Sequence, residues 1–171
     1  MKHVGSLTIT TPTDREIAMT RVFDAPRRLV FEAHTRPELV RRWLGVFGGW
    51  SLVVCEIDLR VGGAYRYVWR NSDGREMGMG GVYRELGPPE RIVSTEQFDD
   101  PWYAGEAVGT LVLVEQAGRT TLTTTVRYAS REVRDAVLRS PMERGVAASY
   151  DNLAGLLATP ATGEMDAGVQ P

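Results

Sequence analysis

Cysteine is nearly missing from this chain: Cys55 is the only one in 171 residues. An intrachain disulfide framework is therefore excluded, and a reducing, cytoplasmic location is expected. Cys55 lies in the apolar run LVVCEI, which reads as a buried structural thiol and not a nucleophile. Histidine is almost as scarce, with His3 near the N-terminus and His34 alone elsewhere. No Cys/His cluster has ligand spacing and no loop gathers acids as a calcium loop does, so neither metal nor other cofactor is expected. A long apolar run is missing too, and the opening MKHVGSLTITTPTDRE lacks the apolar centre of a signal peptide. Membrane insertion is accordingly not expected. With 20 basic against 22 acidic side chains, the net charge of -2 offers no electrostatic case for nucleic acid. No Ser-His-Asp, Cys-His or paired-carboxylate arrangement stands out.

What is present is an ordinary globular composition, 43% hydrophobic and 25% charged, with no internal repeat and no linker. The pattern predicts one domain over residues 15–158, with flexible termini at 1–14 and 159–171. EIAMTRVF (16–23) alternates as a strand. Asp24-Ala25-Pro26 opens a helix to about His34, Arg36-Pro37 breaks it, and PELVRRW forms a second short helix ending near Gly45. Six strands follow between turn signals, at 51–58, 65–70, 76–86, 91–98, 106–116 and 119–128. Connections this short imply an antiparallel meander. A short helix at 131–139 leads into a long one, SPMERGVAASYDNLAGLLA (140–158). There Ser140, Pro141 and Glu143 read as a capping box with a proline start.

Met142, Val146, Ser149, Tyr150, Leu153, Leu156 and Leu157 recur at helical spacing on that last helix. One apolar stripe after a run of strands places it across a sheet, an α+β arrangement with a curved antiparallel sheet around the helix. Gly145 and the small residues after it leave little bulk before Tyr150. That gap either forms a cavity or permits close packing. Alternation puts Tyr65, Tyr67 and Trp69 on one strand face and Arg66 and Arg70 on the other. Met77, Met79, Gly81 and Tyr83 oppose Arg84 in the same way. The arginine faces should be wet and the aromatic faces inside, as the wall of an apolar cavity or as ordinary core.

RVFDAPRRLVFEAHTRPELVRRWLG (21–45), VCEIDLRVGGAYRYVWRNSDGRE (54–76), GVYRELGPPERIVST (81–95) and the last helix together resemble the START-like (SRPBCC, helix-grip) superfamily. Within it they are similar to homologues of the activator of the 90-kDa heat-shock-protein ATPase. The resemblance implies a cavity between sheet and long helix, closed at one end by the two short helices, and a possible homodimer. It implies no single activity, since members bind lipids, polyketides or other apolar ligands and some catalyse cyclisation or hydrolysis. The eukaryotic co-chaperone carries a separate N-terminal domain, to which nothing here corresponds. Val146 stands where members commonly have Trp, which should enlarge the cavity. His34 stands where an aromatic residue is frequent, and reads as a partly exposed helix-surface histidine.

Three functions follow as expectations. The first is a binding protein for an apolar or aromatic small molecule, with Tyr65, Tyr67, Trp69, Met79, Tyr83, Val146 and Tyr150 lining the cavity. Trp102, with Tyr103, would guard its mouth or simply pin the loop. The second is a cavity enzyme of the cyclase or hydrolase type. It needs an internal acid or base, and Glu56, Asp58, Glu76, Glu96, Glu106 and His34 are the candidates, each reading first as a solvated residue. The third is a chaperone-regulating interaction domain, which requires an exposed apolar patch. The binding reading is placed ahead of the enzymatic one, with no catalytic residue assigned.

Overall fold

A computed structural model describes residues 6–159. The elements run β1 (Thr8–Thr10), β2 (Glu16–Phe23), α1 (Arg27–Thr35), α2 (Pro37–Val40), β3 (Ser51–Ile57), β4 (Ala64–Arg70), β5 (Glu76–Gly87), β6 (Arg91–Phe98), β7 (Ala107–Gln116), β8 (Arg119–Arg127), α3 (Arg131–Arg139) and α4 (Met142–Leu157). All strands join one antiparallel sheet in the order β1-β2-β8-β7-β6-β5-β4-β3. Among the described residues the one long crossover is the α1–α2 segment, which carries the chain from β2 to the far edge. The meander from β3 to β8 then returns to β2. This is the helix-grip arrangement expected, an α+β fold with α4 packed against the sheet.

Local chemistry explains the elements. β8, RTTLTTTVR, is rich in β-branched residues that suit a pleated surface. It is joined to β7 by Ala117-Gly118, both at positive φ, the conformation a two-residue hairpin requires. Register shifts interrupt the pairing between Leu52 and Val54 and between Tyr83 and Glu85, and such irregularities bend strands locally. Phe23, Val30, Val40, Leu113, Leu122 and Leu153 are essentially inaccessible and, with Trp43 and Tyr150, join sheet, short helices and α4 in one core. Each such side chain contributes about 1.5–3 kcal/mol on burial.

Polar bonds then fix α4. Arg21, buried on β2, donates to Asp151 at 2.8 Å. Ser149 accepts from the Gly45 amide at 2.9 Å, and Asn152 donates to the Val46 carbonyl at 2.7 Å. The loop after α2 is thereby tied to the helix that crosses the sheet.

Two expectations are corrected. The capping box at Ser140 does not form. Ser140 ends α3, where its hydroxyl donates to the Val137 carbonyl, and α4 begins after Pro141 without a side-chain cap. With α3 ending where α4 starts, the orphan carbonyl of the first helix captures the hydroxyl. The stretch 1–14 also holds a strand, since β1 pairs Thr8–Thr10 with β2. Its partner edge is unoccupied by any other strand, and edge pairing recruits even a short polar segment. Of the expected flexible termini, residues 1–5 and 160–171 lie outside the described residues.

Candidate functional site

A cavity of about 490 Å³ lies between the sheet and α4. Strand pairing builds one wall. Tyr65 pairs with Gly81, Tyr67 with Met79 and Trp69 with Met77, so the inward parity of β4 meets that of β5. The rings stack along β4, with Tyr65 and Tyr67 centroids 5.1 Å apart and Tyr67 and Trp69 5.8 Å. Tyr83 lies 5.5 Å from Tyr65. Two of these side chains are held by their polar ends: the Tyr65 hydroxyl donates to the Thr95 carbonyl at 2.6 Å and the Trp69 indole N–H to the Leu44 carbonyl at 2.9 Å.

The structure places Tyr65, Tyr67, Trp69, Met79, Tyr83, Trp102, Val146 and Tyr150 all around this cavity. Tyr103 joins them, edge-on to Trp102, Phe98 and Tyr128. Tyr128 also lines the cavity: the residue continues the inward parity of Thr124 and Val126 one position past β8, a strand whose faces the sequence leaves unassigned. With it, all six tyrosines of the chain line one space. Tyr150 enters from α4, edge-on to Phe23, with its hydroxyl 3.3 Å from that of Thr124. Phe47, Met77 and Trp102 line the cavity yet remain 38%, 44% and 53% exposed. They mark its mouth, which differs from the fully interior position expected of Met77. Gly145 has both roles weighed for it: it lines the cavity, and an added β-carbon would stand 3.4 Å from the Phe47 ring.

His34 requires a correction. It is partly exposed, as expected, but it belongs to the cavity wall, packed edge-on against Trp43 at 4.8 Å. Its Nδ1 bonds the Val30 carbonyl at 2.8 Å. That bond fixes the neutral ring with Nδ1 protonated and Nε2 as a bare acceptor. Burial pulls its pKa down to about 4, against a small opposing effect of that bond.

Glu96 is the second correction. Glu56 is solvated, and Asp58, Glu76 and Glu106 pair on the surface with Arg60, Arg70 and Arg84. Glu96 instead lines the cavity. The signal was the parity of β6, on which Ile92, Ser94, Glu96 and Phe98 share the inner face. Desolvation raises its pKa to about 7. The carboxyl forms no hydrogen bond or ion pair among the described residues; burial raises the phenols of Tyr65, Tyr67, Tyr103 and Tyr128, and the nearby carboxylate adds to that rise. The Tyr103 hydroxyl is buried without a partner. Cys55 is a buried thiol shifted up to about 11 by desolvation, the state of a structural cysteine. No group of metal-ligating side chains occurs among the described residues, and no helix there is long and apolar enough to cross a membrane.

Comparisons with known proteins agree with this architecture. A protein of solved structure from Rhodobacter sphaeroides is 32% identical over 89% of this chain and 97% of its own, with a TM-score of 0.84. One from Chromobacterium violaceum is 29% identical over 85% and 98%, with a TM-score of 0.72. An AHSA1-like protein from Aeromonas hydrophila, 18% identical over 81% and 89% with a TM-score of 0.63, shares the fold. No curated protein matches the chain. Residues 24–158 match the model of the family described as Activator of Hsp90 ATPase homolog 1-like protein; the chain belongs to that family.

Proposed function

We propose that this chain is a small-molecule binding protein that encloses an apolar or aromatic, lipid- or polyketide-like molecule between its sheet and α4. The observation that carries the reading is the cavity of about 490 Å³, walled by every tyrosine of the chain together with tryptophan and methionine. That volume falls in the range of small-molecule sites, about 300–1,000 Å³. Native folding ordinarily fills such space, because voids forfeit dispersion contacts. Hydroxyl-bearing rings supply apolar area together with scattered hydrogen-bonding groups. Phe47, Met77 and Trp102 then form an apolar entrance.

Native mass spectrometry of freshly purified protein should show a stoichiometric added mass, and denaturing extraction should identify it. In parallel, the neutral dye N-phenyl-1-naphthylamine should bind with enhanced fluorescence. Val146→Trp, which projects an indole into the space from α4, should weaken the dye by roughly tenfold or more while the fold is retained. A clean mass together with no dye uptake would overturn the reading.

Glu96 favours a second reading, a cavity enzyme of the cyclase or hydrolase type. A carboxyl shifted to about 7 can give or take a proton near neutral pH. Conversion of the co-purified molecule by the wild type and not by Glu96→Gln is the expected sign of it.

A further inference from the structure

We propose that the cavity recognises an organic cation, an apolar or aromatic amine whose ammonium group sits against Glu96. The inference rests on the cavity being a small-molecule site and specifies the chemistry of what enters it.

Three observations carry it. First, Glu96 faces the cavity with no basic partner: among the described residues it joins no ion pair and no hydrogen bond, and no lysine or arginine lines the space. Nearby arginines are engaged elsewhere, Arg66 with Asp99 and Arg84 with Glu106 on the outer face. Second, the titratable groups facing the carboxyl are phenols from separate elements: Tyr65 and Tyr67 on β4, Tyr103 in the β6–β7 loop and Tyr128 after β8. His34 on α1 lines the same cavity and is held neutral. Third, the Tyr103 hydroxyl is buried without a partner beside this acid.

A carboxyl facing an apolar cavity without a counter-charge is costly to keep, and fold stability gains nothing from it. Aromatic rings present electronegative faces, which attract ammonium groups and repel anions. Carboxylate and rings together therefore favour a cation, and they disfavour a fatty acid or any other anionic ligand. The apolar remainder of the molecule would extend along the β4–β5 wall towards the mouth. A phenol or carbonyl on the ligand would answer the free Tyr103 hydroxyl.

The test is a matched pair of probes measured by isothermal titration on the full chain at pH 8: 2-(2-naphthyl)ethylamine, which is cationic there, and 2-(2-naphthyl)ethanol, which is not. The amine should bind roughly tenfold tighter or more. Near pH 7 its binding should release protons, because the cation drives the carboxyl to its charged form. In Glu96→Gln the preference and the proton release should both vanish while the alcohol still binds. An alcohol that binds as well as the amine in the wild type overturns the inference and leaves the cavity reading standing. A preference that survives in Glu96→Gln overturns the assignment to this residue. Failure of both probes to bind overturns the cavity reading and the inference with it.

Discussion

Glu96→Gln should make the protein more stable than the wild type at pH 8, by on the order of 2 kcal/mol, and no more stable near pH 4. The sign follows from burial. Desolvation raises the folded-state pKa from 4.5 to about 7, so the folded protein holds a proton that the unfolded chain has released across that interval. Stability from this group is complete below about 4.5 and is lost as the pH rises towards 7. Glutamine stays neutral throughout and avoids the loss. His34 works in the opposite sense. Its folded pKa is lowered from 6.5 to about 4, so its neutral form supports folding above 6.5 and that support is lost as the pH falls towards 4. The other titratable groups lining the cavity are phenols, which remain protonated here. The two displacements oppose each other over the shared interval, and the wild type should show little pH dependence from this pair. Urea unfolding from pH 4 to 8 checks all of it. Glu96→Gln should become steadily more stable up to about pH 6.5, whereas His34→Phe should lose stability from about 4.5 to 7. Equal midpoints for Glu96→Gln and wild type at pH 8 would show that the carboxyl is solvated and would remove its claim on the cavity.

Gly81→Ala should destabilise the fold by about 3 kcal/mol or more. A β-carbon at this position would overlap the Thr95 carbonyl. That carbonyl accepts the Tyr65 hydroxyl at 2.6 Å, and the Thr95 hydroxyl accepts the Val82 amide at 2.9 Å. Tyr65 pairs with Gly81 across the sheet and is anchored to that same Thr95 carbonyl. The substitution therefore has to move backbone, two hydrogen bonds and one cavity ring together. Gly87→Ala is the control, since its β-carbon would meet only Arg91 at 3.6 Å, an ordinary contact. Chemical denaturation should separate the two by most of the expected difference. A Gly81→Ala midpoint close to that of Gly87→Ala would mean that β5 and β6 yield easily here, and that the wall of the cavity is soft there.

Periodicity and turn chemistry alone determined the framework of this protein. Two-residue alternation and the Gly-, Pro- and Asp-rich turns locate the strands from β2 to β8 to within about two residues. The same alternation selects Tyr65, Tyr67, Trp69 and Tyr83 as one inner surface, because parity along a strand is a local property. Tertiary structure decided everything that depends on which surfaces meet. Ser140 has the residue type of an N-cap, yet the adjoining end of α3 claims its hydroxyl. Thr8–Thr10 is β-branched throughout but too short to be read as a strand alone, and it pairs with the free edge of β2. Glu96 and His34 look like solvated residues until the fold sets both in the wall of one cavity. A charge on a strand is normally read as facing water, and its parity with Ile92 and Phe98 is outweighed by that prior. Whether a side chain faces solvent or a cavity is set by elements far away in the chain, and the ionisation of Glu96 and His34 follows from that enclosure rather than from any neighbour in sequence.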